Sequence, residues 1–202
     1  MALRDHSLDD KIISAARAEF LAKGYTGASL RKIAEKAGVT VGAIQTRYRS
    51  KDDLFAGLLR PFLERIAVLF QTTKADYASD AGEDLLAGLK ESMRHESEAI
   101  LRLIFDHYDD AVLLLCRSAG SGLAGYFDEV VQRKIRESIA FFQSAGFAGV
   151  DETLLGLLIS AQFDSYRRIV AECPDRAAAE EYMQSLMTYH FGGWTAFFDA
   201  VR

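Results

Sequence analysis

The stretch from Ser29 to Asp52, SLRKIAEKAGVTVGAIQTRYRSKD, constrains the fold of this chain more than any other. Apolar residues at helical spacing predict a helix that Ser29 caps and Gly38 ends, because glycine tolerates the left-handed conformation of a helix end. Thr40 can then cap a second helix, Val41 to Tyr48. Two short helices joined by so tight a turn are typical of a helix-turn-helix, whose second helix can enter a DNA major groove.

Apolar residues at helical spacing also predict helices along the rest of the chain, and no stretch alternates long enough to predict a strand. A first helix begins at Asp9 or Asp10 and runs through Ala22, with Gly24 ending it. A helix after Ser50 contains Pro61, which predicts a kink, either a static bend or a point that transmits motion. The further helices are expected at about Ser50 to Thr73, Glu83 to Phe105, Asp109 to Ser118, Leu123 to Ala145, Glu152 to Glu172 and Arg176 to Val201.

Charge is distributed unevenly along the chain. The formal net charge is −5, yet residues 1–52 carry a net +4, and the remainder therefore carries −9. A basic head on an acidic body fits a head that meets nucleic-acid phosphate and a body that does not.

Hydropathy predicts a protein without a membrane segment. No run of about 18 apolar residues is present, and the first ten residues are too polar for a signal peptide, so we expect a cytoplasmic protein with no membrane partner. The two cysteines, Cys116 and Cys173, have no CxxC spacing. They are expected to be reduced, buried thiols, with a redox sensor as the alternative.

Over Ile12 to Phe55 the order and spacing of particular residues form a specific pattern. They are Ala15-Ala16, Phe20, Gly24, Ile33-Ala34, Ala37-Gly38-Val39-Thr40, Gly42, Tyr48, Lys51 and Leu54-Phe55. In this pattern the chain resembles the tetracycline-repressor (TetR) family of transcriptional regulators. Beyond Leu59 the likeness is in helix number and length only.

The resemblance implies an all-α fold with an N-terminal three-helix helix-turn-helix head, a long connecting helix and a C-terminal helical body. The helix-turn-helix DNA-binding domain is expected at residues 1–52, and the ligand-binding and dimerisation domain at 53–202. It also implies a ligand-responsive regulator, most often a repressor, that binds a partly palindromic double-stranded DNA operator as a homodimer and is released by a small molecule. No cofactor is implied.

The expected DNA contacts combine the resemblance with residue chemistry. The resemblance places Ser29 and Lys51 against phosphate. Arg31 can reach phosphate or guanine, Gln45 an adenine edge, and Thr46 phosphate or a thymine methyl group. Where the family usually has a basic or polar residue, an aromatic and often a histidine, this chain has Val41, Gln45 and Thr46. The predicted DNA-binding residues are Ser29, Arg31, Thr40, Gly42, Gln45, Thr46, Arg47, Tyr48 and Lys51, with Arg49 adding backbone charge.

The body has a surplus of large apolar residues, which fits either plain core or a ligand cavity. The residues expected to line a pocket are His107, Tyr108, Phe127, Gln162, Phe163 and Tyr166. Rich apolar stripes on the last two helices predict a four-helix dimer interface. The interface residues expected are Leu155, Ile159, Met183, Leu186, His190, Trp194 and Phe197.

The sequence favours neither a metal site nor an enzyme. His107 with Asp106, Asp109 and Asp110 could hold a cation, but acids capping a helix explain the same cluster, and no metal site is predicted. No catalytic motif is present, so no catalytic residue is predicted and an enzyme is not expected. The alternative function is a helical small-molecule binding protein whose DNA-binding head is vestigial.

Overall fold

The computed structural model describes residues 6–79, 85–144, 150–173 and 175–200, and within them the chain is helical with no strand. The prediction of an all-α fold is confirmed. In chain order the helices are α1 His6–Gly27, α2 Leu30–Ala37, α3 Val41–Arg47, α4 Lys51–Ser79, α5 Leu85–Asp106, α6 Tyr108–Cys116, α7 Tyr126–Ser144, α8 Glu152–Glu172 and α9 Arg176–Ala200.

The contacts divide the chain into two compact units. Unit 1 comprises Met1–Leu63 with Asp109–Tyr126, and unit 2 comprises Glu64–Tyr108 with Phe127–Arg202. Unit 1 therefore contains the predicted head together with the start of α4, α6 and the turns that follow α6. The expected domain boundary after residue 52 stays a prediction.

The predicted helix signals act as expected at most ends. Thr40 Oγ1 accepts from the backbone N–H of Ala43 at 3.1 Å, and Ser50 Oγ accepts from that of Asp53 at 3.0 Å. Gly38 is left-handed, with φ of +67°, as the end of α2 requires. Gly24 is also left-handed, at φ +66°, and it interrupts α1 where the first helix was expected to end. Ser29 differs, because its side chain makes no capping bond to α2.

Helix α4 is longer than its sequence predicted. It continues to Ser79, six residues beyond the expected end at Thr73, and it runs through Pro61. Its first turns supply much of the core of unit 1, where Leu54, Phe55 and Leu59 are fully buried. The ring of Phe55 lies edge-on against that of Phe20 of α1, with 4.8 Å between centroids. The basis of this packing is an apolar stripe at helical spacing.

Two predicted boundaries in the body are wrong. Helix α7 begins at Tyr126 rather than at Leu123, because residues 118–126 form successive turns closed by bonds such as Ser121 N to Ser118 O and Ala124 N to Ser121 O. Helix α6 begins at Tyr108, one residue before the expected Asp109. Most of the predicted loop at 146–151 and the predicted break at Pro174 lie outside the described residues.

Unit 2 packs α5 and α8 against α9. Its core contains Val131 and Phe142 of α7, Leu155, Ile159 and Phe163 of α8, and Trp194 of α9. A second buried feature is ionic, because Lys134 of α7 donates to the carboxylate of Glu96 of α5 at 2.5 and 2.6 Å. Glu96 is 6% exposed, so the pair offsets a charge that would otherwise be buried alone.

Candidate nucleic-acid interface

Helices α2 and α3 form the helix-turn-helix within unit 1. Ile33, Ala34 and Ala37 of α2 and Ile44 of α3 are buried, and this shared core fixes the two helices against each other. At the turn, the backbone N–H of Gly38 bonds Glu35 O at 3.2 Å and that of Val39 bonds Ala34 O at 2.9 Å. A left-handed glycine is what lets the chain reverse here within three residues.

The outer face of α3 is polar. Gly42, Gln45 and Thr46 are exposed, as is Thr40 at its N-terminus, while Ile44 is fully buried on the opposite side. The hydroxyl of Thr46 donates to the carbonyl of Gly42 at 2.9 Å. Within the part of the chain that the structure describes, Gln45 has no side-chain hydrogen bond. The exposed face of α3 is therefore formed by few side chains, and the carboxamide of Gln45 is available to bind a ligand.

Arg47, at the end of α3, is turned back into unit 1. Its Nε donates to Asp9 Oδ1 of α1 at 2.5 Å, and its Nη1 donates to Ala43 O at 3.3 Å. The two side chains of this ion pair are 18% and 20% exposed. The pair therefore ties the end of α3 to α1, and a DNA contact by Arg47 stays a prediction that this geometry does not favour.

Lys51 is also held by hydrogen bonds within unit 1. Its ammonium donates to the carbonyls of Tyr25, Thr26 and Ala28 at 2.8, 3.4 and 3.2 Å. It also lies 4.4 Å from the centroid of the Tyr25 ring, a cation–π distance. Because an ammonium has three N–H donors, these three carbonyls occupy all of them. Lys51 closes the turn between α1 and α2, and a phosphate contact by it stays a prediction.

Two further cations of the head are paired. Lys36 of α2 donates to Glu19 Oε2 of α1 at 2.8 Å, and this bond lowers the pKa of the buried Glu19 carboxyl. The backbone of Ser29, at the N-terminus of α2, also lowers that pKa. Arg17 of α1 pairs with Asp110 of α6.

Of the cations predicted to contact DNA, Arg31 and Arg49 keep their charge free; Lys32 of α2, which was not among them, is exposed as well. Both arginines are exposed, and no ion pair involves either within the described residues. Arg31 stands in the first turn of α2, and Arg49 follows α3. Arg47 and Lys51 were predicted to bind DNA, and Arg49 only to add backbone charge. The long-range partners of Arg47 and Lys51 make Arg49 the more available of the three cations.

The turns after α6 contact the head inside unit 1. The backbone N–H of Tyr25 donates to Arg117 O, and the hydroxyl of Thr26 donates to Ala119 O, both at 2.8 Å. Asp52, at the start of α4, accepts from the backbone N–H of Gly122 at 2.8 Å. We call residues 117–122 the head clamp. The head clamp and Lys51 hold the same turn, residues 24–28, through different atoms: the head clamp bonds the N–H of Tyr25 and the hydroxyl of Thr26, and Lys51 bonds backbone carbonyls.

Gly120 makes this approach possible, and its replacement gives the first prediction. Its φ is +85°, and a Cβ there would lie 2.9 Å from Thr26 Oγ1. Gly120→Ala is expected to lower the free energy of unfolding of unit 1 by about 1–2 kcal/mol, because alanine is strained in this conformation. Thermal unfolding and amide exchange at Tyr25 measure the effect. Gly125→Ala is the control, since a Cβ there meets nothing within 4 Å; equal melting temperatures for the two variants would contradict this account.

Three polar side chains form a buried chain in unit 2. Trp194 Nε1 donates to Gln162 Oε1, and Gln162 Nε2 donates to the Tyr166 hydroxyl, both at 2.6 Å. Tyr166 is 2% exposed, and burial raises the pKa of its hydroxyl. The predicted ligand residues Gln162 and Tyr166 are therefore neighbours whose polar atoms already have protein partners.

The remaining predicted ligand residues fall into two groups. Phe163 lies with Phe127 and Tyr166, at 6.2 and 5.9 Å between ring centroids. Tyr108 stacks on Phe105 at 5.6 Å, next to His107 in the chain. A ligand role for all six residues stays a prediction.

His190 of α9 lies beside the hydrogen-bonded side chains of Gln162 and Tyr166. Its titration gives the second prediction. Its ring meets that of Tyr166 edge-on at 6.1 Å between centroids, its Nε2 is 3.0 Å from Ser165 Oγ, and burial lowers the pKa of the imidazole. The folded protein thus holds His190 neutral where the unfolded chain would take a proton. Stability is therefore expected to fall as pH decreases from 7 to 5. In melting curves His190→Gln is expected to show a smaller fall, and the same fall in both proteins would contradict the assignment.

The predicted dimer residues lie mostly inside the protomer. Leu155, Ile159, Met183 and Trp194 are between 1% and 7% exposed in the isolated chain. The stripe that predicted an interface is thus the core face of α8 and α9, and only Leu186, His190 and Phe197 are half-buried. The same helices expose other large apolar side chains, namely Leu154, Leu157, Tyr182, Tyr189 and Phe191.

Among residues 6–79, 85–144, 150–173 and 175–200, no helix combines the length and apolar character that crossing a membrane requires. In those same ranges no group of three His, Cys, Asp or Glu side chains is placed to hold a metal ion. Asp109 and Asp110 lie in the first turn of α6, and Asp110 pairs with Arg17. Capping of α6 by these acids stays a prediction.

Comparison with known proteins identifies a family that the head matches. Residues 12–58 match the family described as bacterial regulatory proteins, tetR family. A probable HTH-type transcriptional regulator, YttP of Bacillus subtilis (strain 168), is 28% identical over 102 residues, which are 49% of this chain and 49% of that protein. The match thus spans about half the length of this curated relative.

Solved structures match the fold over nearly the whole chain. A TetR-like transcriptional regulator from Rhodococcus sp. RHA1 has a TM-score of 0.63 at 20% identity, covering 95% of this chain and all of that one. FadR from Bacillus subtilis, in complex with stearoyl-CoA, has a TM-score of 0.59 at 18% identity, with 92% and 98% covered. At these identities the likeness establishes the fold alone.

Fold and head together define an all-helical protein that carries a helix-turn-helix on a helical body. The family match over α1 to α4 then makes the particular comparison, and it confirms the resemblance of the head to the TetR family that the sequence predicted.

Proposed function

We propose that this protein is a DNA-binding transcriptional regulator that places α3 in the major groove of its operator. The observation that carries the proposal is the exposed face of α3, where Gln45 and Thr46 stand outward on a helix whose opposite face is buried through Ile44. Arg31 and Arg49 flank this face with unpaired positive charge, which suits the phosphates on either side of a groove.

The proposed working form is a homodimer. Leu154 and Leu157 of α8 are 45% and 64% exposed, and Tyr182 and Tyr189 of α9 are 55% and 75% exposed. Gly192 and Gly193 of α9 have no atom within 4 Å of an added Cβ, so this helix offers a surface that another helix can approach closely. A two-fold dimer would set two recognition helices about 34–36 Å apart, which matches successive turns of one DNA face.

A small molecule bound in unit 2 is the proposed effector, and repression with release on binding is the proposed mode of action. Unit 2 contains the buried polar chain of Trp194, Gln162 and Tyr166. Such groups can exchange a protein partner for a ligand partner at little net cost in hydrogen bonds. A ligand lowers operator affinity only as far as it prefers the conformation that binds DNA less well.

Selection from a library of random double-stranded DNA with the purified protein tests the proposal. The expected result is one enriched sequence with two inverted half-sites, bound far more tightly than scrambled DNA. A protein whose head is vestigial would enrich no sequence and would shift no DNA at low salt, and that result would overturn the proposal.

A further inference from the structure

The two outward residues of α3 differ in what they can offer a base pair. Gln45 and Thr46 are adjacent and exposed, whereas Arg47 is held by Asp9 of α1 and by the carbonyl of Ala43. An arginine is the usual partner of guanine, because its planar fork matches O6 and N7. With Arg47 committed inside unit 1, α3 presents no such fork to the groove.

Gln45 offers one donor and one acceptor on a short side chain. Its carboxamide has no intramolecular partner in the described part of the chain. Adenine presents the complementary pair, the N7 acceptor and the N6 amino donor, whereas guanine presents two acceptors at the same edge. A free carboxamide on the outer face of α3 therefore matches adenine.

Thr46 is oriented by its own helix. Its hydroxyl donates to Gly42 O, one turn earlier, at 2.9 Å. With the hydroxyl proton used and the oxygen turned onto the backbone, the γ-methyl group is what the exposed side chain presents outward. A methyl group matches the C5-methyl of thymine, the one apolar group in the major groove. The sequence alone left phosphate and thymine equally open for this residue.

From these observations we infer that α3 reads A·T base pairs: Gln45 pairs with an adenine edge, and the Thr46 methyl group contacts a thymine methyl group. This inference rests on the proposed function. Arg47 acts as a positioning residue, which holds the C-terminal end of α3 on α1 and makes no base contact.

Base analogues in the selected operator test the inference with the full-length protein. Replacing the contacted thymine by uracil in both half-sites removes only the methyl groups and is expected to weaken wild-type binding about fourfold per half-site, the value of one buried carbon. Thr46→Ser should show the same loss on the natural operator and no further loss with uracil. Thr46→Val, which keeps the methyl group and removes the hydroxyl, should bind as the wild type does.

Gln45 is tested in parallel. Replacing the contacted adenine by 7-deazaadenine removes N7. Gln45→Ala is expected to weaken binding about 5- to 150-fold per half-site while making the protein indifferent to that analogue. Its affinity for random DNA should not change, because no phosphate contact is lost. Gln71→Ala, an exposed glutamine of α4, is the matched control and should have no effect.

The outcomes separate the inference from the function on which it rests. One contrary outcome is that an operator is selected but operators with uracil or 7-deazaadenine bind as tightly as the natural one. Another is that Thr46→Val loses affinity while Thr46→Ser keeps it. Either result overturns the A·T reading and leaves the proposal of DNA binding intact. If no DNA sequence is selected, both fail.

Discussion

Replacing Arg31 and Arg49 together by alanine is expected to weaken operator binding by roughly 10- to 1,000-fold at low salt and to flatten its salt dependence. Both side chains are exposed and unpaired within the described residues, so each can neutralise one phosphate per protomer. A dimer would then lose four contacts. Because each contact contributes about 0.9 to the slope of log K against log salt, the slope should become shallower by about 3 to 4. Fluorescence anisotropy titrations between 50 and 300 mM salt measure both quantities.

Lys51 provides the contrast within the same head. Lys51→Met leaves three backbone carbonyls without their shared donor and is expected to lower the free energy of unfolding by about 1.5–3 kcal/mol. Where the variant remains folded, its salt slope should equal that of the wild type, because the ammonium is committed to Tyr25, Thr26 and Ala28. A slope lowered by Lys51→Met and unchanged by the double arginine variant would reverse the assignment.

Introducing aspartate at Leu157 and Tyr189 is expected to convert the proposed dimer into monomers. These side chains are 64% and 75% exposed, so the change costs the protomer little, whereas in an interface it would bury two charges per protomer. Without a second half-site contact, operator affinity should fall at least about 100-fold, which is the order of the gain from linking two binding modules. Sedimentation equilibrium and the same anisotropy titration measure the two effects.

Leu155→Ala is the control for this prediction. Leu155 is 1% exposed in the core of unit 2, so its truncation should cost about 2–5 kcal/mol of unfolding free energy. It should leave the monomer–dimer midpoint unchanged at temperatures where the protein is folded. Dissociation by Leu155→Ala, with none by the aspartate variant, would place the interface elsewhere.

The head was predictable because its signals are local. The left-handed Gly38 and the capping Thr40 lie within a few residues of the turn they form, and the structure has both as expected. The ends of α8 were equally local, with Asp151 accepting from the N–H of Leu154 at 2.8 Å. Local hydrogen-bonding chemistry decides such positions, and one sequence contains all of it.

The sequence could not predict which cations are held by ion pairs or hydrogen bonds within the protein, because their partners are far away in sequence. Arg47 is 38 residues from Asp9, and Lys51 is 26 from Tyr25. Composition identified a basic head, but only the packing of α1 against α2 and α4 determines which charges remain for a ligand. The Ser29 cap was a local prediction that failed: its side chain makes no capping bond to α2.

Core and interface could not be separated either. An apolar stripe such as Leu155 and Ile159 gives the same sequence pattern whether the residues that pack against it belong to the same chain or to a second one. In the structure that stripe is core, and Leu157 and Tyr189 on other faces of the same helices are exposed. Periodicity identifies which residues share a face, and it does not say what covers that face.

The central claim is that α3 reads DNA, and the ratio of specific to non-specific affinity tests it most directly. The measurement is the dissociation constant of the purified protein for its selected duplex and for a scrambled duplex of equal length, at one salt concentration near 150 mM. A sequence-reading dimer should prefer the selected duplex by at least about 1,000-fold. Equal affinity for the two duplexes, or no binding to either at low salt, would contradict the claim.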